Sequence, residues 1–134
     1  MNAEDRIAIQ DVMARYAASI DDRDLEAFRA LFDPGVEVVG FAADTLVGPD
    51  PWLEVVETTL ANFGETQHML GPPLAEMDGD RAKVRTPLQA IHVHLPPREG
   101  LFTLWGTYRT EMAKGEGGWR IVRHQLDVAR VEGV

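Results

Sequence analysis

Apolar residues recur at helical spacing from Ile9 through Val12, Met13, Tyr16, Ala17 and Ile20, forming one stripe of an amphipathic segment. Asn2, with Asp5 three residues later, supplies a cap, so the pattern predicts a helix running to about Asp21. A second, short helix is predicted from Asp24, with Leu25, Phe28, Leu31 and Phe32 on one face and Asp33-Pro34-Gly35 as its stop. Val36 to Phe41 reads as a strand. A third helix is predicted after Pro49-Asp50-Pro51, presenting Trp52, Val55, Val56, Leu60 and Phe63. From Glu65 onward the period shortens to that of strands, predicted at Thr66 to Leu70, Leu74 to Met77, Ala82 to Leu95, Phe102 to Ala113 and Trp119 to Val131. Asp78-Gly79 and Lys114 to Gly118 are hairpin signals between them. In Ala82 to Leu95, apolar residues of both parities predict a bulge or a change of buried face.

Helix, helix, strand, helix and then a meander of strands argues for an α+β fold with an antiparallel sheet curled around the helices. The 134 residues, 45% hydrophobic and 26% charged, are expected to form a single domain over 1–134. A net charge of -9 argues against nucleic acid, which needs clustered lysines and arginines. No apolar run approaches membrane-spanning length, and the polar start Met1 to Arg6 is unlike a secretory signal, so a cytoplasmic protein with no membrane partner is expected. The absence of cysteine removes disulfides, thiolate nucleophiles and sulfur-ligated zinc, and leaves four histidines as the groups nearest neutrality.

Asp21 projects in line with Met13 and Ala17, beside the apolar stripe, and a carboxylate there needs a partner. His68 shares one side of its strand with Thr66 and Leu70. If that side faces the helices, the two residues make a general-base unit, the carboxylate fixing the tautomer and stabilising the imidazolium. The alternative is that Asp21 only caps the next helix and His68 is a core histidine bonded to backbone. His92 and His94 alternate on one strand face, and with Glu99 and Gly106 they match part of the cupin metal pattern. Thr86 stands where that pattern starts with glycine, and the second histidine motif is missing, so no metal site is expected. One of the two histidines is expected to point inward and the other to sit near the exposed end of the strand. His124, on a face with Val122, Leu126 and Val128, reads as a satisfied core histidine. Trp105, Phe102 and Trp119 read as sheet-packing residues, while Tyr108 has a hydroxyl to offer a bound carbonyl.

Three segments together resemble the SnoaL-like and scytalone dehydratase-like branch of the nuclear transport factor 2-like superfamily. They are Arg15-Tyr16-Ala17 with Ser19 to Asp24 and Leu31 to Pro34; Thr66-Gln67-His68-Met69-Leu70-Gly71; and Gly106 to Arg109 through Gly118 to Ile121. The resemblance implies a cone in which three N-terminal helices pack within a curved, mostly antiparallel mixed sheet. It also implies a dyad of Asp21 and His68, and a second pocket histidine at His92 or His94. The cavity would be lined by Tyr16, Phe41, Trp52 and Tyr108. Two departures stand out: Ile20 and Gly40 occupy about the places of the dehydratase tyrosines that hold a water, and Gly106 and Tyr108 replace small polar pocket residues. Scytalone is therefore not the expected substrate. The activity implied is that of a cofactor-free lyase or isomerase, dehydratase- or cyclase-like, acting on a small apolar carbonyl compound in a homodimer. The alternative is a non-catalytic ligand-binding or dimerisation domain.

Overall fold

A computed structural model describes residues 2–134. Its elements are α1 (Ala3–Asp21), α2 (Leu25–Arg29), β1 (Phe32–Val39), β2 (Leu46–Val47), α3 (Pro49–Leu60), β3 (Phe63–Leu70), β4 (Leu74–Asp78), β5 (Arg81–His94), β6 (Leu101–Gly115) and β7 (Gly118–Glu132). The Asn2 side chain caps α1 by accepting from the Asp5 amide at 2.7 Å, and Asp24 caps α2 by accepting from Ala27. Pro49 opens α3 within its first turn, where a missing N–H costs nothing.

One seven-stranded sheet runs β2-β1-β7-β6-β5-β3, with β4 also paired to β5. All pairings are antiparallel except β1 with β7, so the sheet is mixed. The helices pack on its inner face, α1 against β3 and β7 and α3 against β1. They bury Ile9, Met13, Tyr16, Phe28 and Trp52 against Val36, Val84, Met112 and Ile121. Each fully buried large apolar side chain contributes roughly 1.5–3 kcal/mol, and the aromatic group around Tyr16, Phe28, Phe32 and Trp52 adds edge-to-face contacts.

Three expectations are corrected. Leu31 and Phe32 do not extend the second helix, which stops at Arg29; Phe32 opens β1 and pairs with Ile121. The Asp33-Pro34-Gly35 segment lies inside β1, in the register shift between Phe32 and Glu37, where Asp33 Oδ2 accepts from the Gly35 amide at 2.9 Å. Proline is tolerated there because a bulge needs no ladder N–H. Helices α1 and α2 are N-terminal, but α3 follows β1 and β2, and the short β2 has no counterpart in the sequence reading. Finally, β5 neither bulges nor changes face in its pairing with β6. Ala82, Val84, Thr86, Leu88, Ala90, His92 and His94 are all buried in strict alternation, whereas Ile91 and Val93 sit half-buried on the outer face.

Gly40 turns the chain from β1 toward Phe41 at φ 91°, and a Cβ there would lie 2.5 Å from the Leu126 carbonyl oxygen. Gly40→Ala is therefore expected to destabilise the fold by roughly 1–3 kcal/mol, read as a lower urea midpoint with unchanged slope.

Candidate active site

The last residue of α1, Asp21, faces the inner side of β3, where Thr66 and His68 share one side of the strand. Its carboxylate accepts three hydrogen bonds. Oδ2 takes the His68 amide at 2.8 Å, while Oδ1 takes the Thr66 hydroxyl at 3.0 Å and His68 Nδ1 at 2.8 Å. Burial pushes the Asp21 carboxyl up, but the bonds from His68 and Thr66 outweigh it and hold the group below its ordinary value. A carboxylate only accepts, so the His68 Nδ1 carries the hydrogen and Nε2 is left with a lone pair. The His68 side chain is 10% exposed and borders a cavity of about 290 Å³.

That cavity lies between α1, α3 and the inner sheet face. Tyr16, Phe41, Trp52 and Tyr108 line it, as do Leu88 and Leu104. No lysine or arginine is among the lining residues. His92 lines it too, its ring 5.7 Å from that of His68. His92 Nδ1 is 3.1 Å from the Phe102 carbonyl oxygen, which can only accept, so this nitrogen is the protonated one and Nε2 bears the lone pair. Burial lowers the His92 pKa and favours that neutral form.

His94 is not part of the cavity lining. It is buried like His92, but its Nε2 donates to the Gly133 carbonyl at 2.6 Å and its ring packs on Phe63. His94 does stand at the exposed end of β5, as expected, beside the exposed Leu95, but its side chain is buried like that of His92, and the two differ in which wall they face. His124 is fully buried between the Tyr16 hydroxyl, 2.9 Å from Nε2, and the Thr110 hydroxyl, 3.0 Å from Nδ1. Burial pushes its pKa down to about 3. The phenols of Tyr16 and Tyr108 are pushed up by burial. Among the described residues no three or more His, Asp or Glu side chains are grouped to hold an ion.

Sequence reasoning missed two residues of this cluster. Thr66 was recognised only as sharing a face with His68, yet its hydroxyl reaches Asp21. Arg23 stands out in the sequence only as part of the Ser19 to Asp24 segment, but its guanidinium donates to Thr66 Oγ1 at 2.8 Å and to the Gly64 carbonyl at 2.6 Å. The available signal was the spacing of Asp21, Arg23 and Asp24 in the corner between the helices.

Helices wrapped by an open mixed sheet, with a histidine on the wall of an apolar cavity, define an α+β cone of the nuclear transport factor 2-like type. Within that class the chain belongs to the SnoaL-like domain family, whose model matches residues 1–125. Solved structures agree on the fold. A candidate scytalone dehydratase from Novosphingobium aromaticivorans is 24% identical, with a TM-score of 0.86 over 95% of this chain and 85% of the other. The hexachlorocyclohexane dehydrochlorinase LinA-type3 from Novosphingobium barchaimii is 16% identical, with a TM-score of 0.84 over 96% and 89%. A candidate aromatic ring hydroxylase from Novosphingobium aromaticivorans is 27% identical, with a TM-score of 0.85 over 100% and 96%. Three differently named activities on one fold mean that the site, not the fold, must carry the functional argument.

Proposed function

We propose that this protein is a cofactor-free lyase or isomerase acting on a small, largely apolar carbonyl compound held in the cone. The single observation that carries the reading is the 2.8 Å contact between His68 Nδ1 and Asp21 Oδ1 at the wall of an apolar cavity. In this reading His68 Nε2 removes a proton α to the carbonyl, leaving an enolate, and the ionised Asp21 stabilises the imidazolium that forms. The same proton then has two destinations. Delivered to a departing hydroxyl it gives water and a new double bond; delivered to another carbon it completes an isomerisation. His92, with its lone pair available, accepts a hydrogen bond from a substrate hydroxyl. Donation to a developing oxyanion requires His92 to be protonated first. A cavity of about 290 Å³ without a lining cation suits a neutral ring compound better than a carboxylate or phosphate ester.

The test is α-proton exchange. A panel of neutral aromatic and alicyclic ketones is incubated with the protein in deuterated buffer and followed by proton NMR. Protein-dependent loss of an α-proton signal from at least one of them is expected. Binding of the panel without any exchange favours the alternative, a ligand-binding domain.

We also propose a homodimer, supported by the half-buried apolar residues Ile91, Val93 and Trp105 on the outer sheet face. Light scattering at micromolar concentration is expected to return twice the 14.9 kDa chain mass, and the chain mass itself counts against it. Among the described residues, no helix is long and apolar enough to cross a membrane.

A further inference from the structure

Arg23 stands two residues beyond Asp21, in the corner between α1 and α2, with φ 60°. That left-handed conformation is costly for any residue with a Cβ, and glycine would occupy the corner without strain. The strained backbone turns the guanidinium back across the end of α1. There Nη1 donates to the Ile20 carbonyl at 3.0 Å and to Thr66 Oγ1 at 2.8 Å, and Nη2 donates to the Gly64 carbonyl at 2.6 Å.

The direction of the hydrogen bonds follows from chemistry. A guanidinium has only donors, so Thr66 Oγ1 accepts from it, and the one hydroxyl hydrogen remains for Asp21 Oδ1 at 3.0 Å. Asp21 in turn accepts from His68. A single path therefore runs from the Arg23 guanidinium through Thr66 and Asp21 to the imidazole. We propose that Arg23 is a positioning residue which, acting through Thr66, fixes the rotamer and ionised state of Asp21 and so the tautomer of His68. The cation sits one hydroxyl away from the carboxylate and favours its charged form. Burial is the main cause that keeps the His92 ring neutral, and the Arg23 charge acts in the same direction.

This inference rests on the reading of Asp21 and His68 as a working pair, but its test reads the carboxylate and needs no substrate. The Asp21 side-chain carbon is titrated by NMR in the full chain for wild type, Arg23→Gly, Arg23→Lys and Thr66→Val. Arg23→Gly removes the guanidinium and also the positive-φ strain, so loss of fold does not confound it. Arg23→Gly and Thr66→Val are expected to move the Asp21 midpoint up toward the ordinary carboxylate range. Arg23→Lys, which keeps the charge but not the fork, moves it less. Arg23→Gly added to Thr66→Val produces little further shift, because both act on one path. A folded Arg23→Gly protein whose Asp21 titrates as in wild type overturns the proposal, as does full additivity with Thr66→Val. Should α-proton exchange fail while Asp21 still responds to Arg23, the catalytic reading falls and the positioning network stands.

Discussion

His68→Ala is expected to slow α-proton removal by about a hundred- to ten-thousand-fold, the usual contribution of a positioned general base, with the fold retained because the imidazole is one wall of a cavity and not a filled core site. Asp21→Asn is expected to cost a comparable factor by a different route. In wild type, Oδ1 accepts from both Thr66 and His68 Nδ1, and Oδ2 accepts from the His68 amide. An asparagine has one accepting and one donating end. With its NH₂ at the Oδ1 position it would face two donors, so His68 would invert its tautomer, place the hydrogen on Nε2 and lose its basic nitrogen toward the cavity. With its NH₂ at Oδ2 it would oppose the His68 amide and break the anchor to β3. Rates of ketone α-proton exchange for the two variants, measured beside their circular dichroism, check this. A folded His68→Ala protein that exchanges as fast as wild type would falsify the assignment of the base.

The second large effect is on stability in acid. His124 has a folded-state pKa of about 3 against an ordinary 6.5, because burial between Tyr16 and Thr110 penalises the imidazolium. Below about pH 6.5 the unfolded chain binds a proton at this position and the native chain does not. The stability contributed by neutral His124 is therefore complete above the unfolded pKa and falls with pH, by up to about 1.4 kcal/mol per unit, until the folded value is reached. His92, also lowered, acts in the same direction. Asp21 belongs to a different window: its depressed pKa contributes stability above the unfolded value of about 3.9 and loses it only at still lower pH. Urea midpoints measured from about pH 7 down to about pH 4.5 should thus decline through histidine protonation. His124→Gln should lower the neutral-pH midpoint, since two buried hydroxyls lose their partner, and should flatten the decline. A slope equal to that of wild type would assign the acid sensitivity elsewhere.

The fold was legible wherever period and punctuation agreed. Asn2 and Asp5, the stripe from Ile9 to Ile20, and the proline-led start of α3 mark the helices. Asp78-Gly79 and the turn after Lys114 mark two hairpins. It was illegible where one spacing serves two structures. Leu31 and Phe32 suit the apolar face of α2, and they suit equally the start of β1, where pairing with β7 decides the matter. His124, read as a satisfied core histidine, is fully buried and bonded to the Thr110 and Tyr16 hydroxyls, although the parity of the strand changes before it. The β6-β7 register shifts between Glu111 and Met112, so Ile121 and His124 are both fully buried although they are three residues apart. The choice between His92 and His94 hung on which carbonyl each ring meets, Phe102 or Gly133. Those partners lie ten and 39 residues away, at a range no local pattern encodes.

The most direct measurement is the protonation pattern of the His68 ring, read from its long-range proton–nitrogen NMR spectrum near neutral pH and compared between wild type and Asp21→Asn. A poised base requires the neutral ring to carry its hydrogen on Nδ1, toward Asp21, with Nε2 bare, and the preference to be lost in the variant. A ring protonated on Nε2 in wild type, or one indifferent to Asp21→Asn, would contradict the central claim, because the nitrogen facing the cavity would then have no lone pair with which to take a proton.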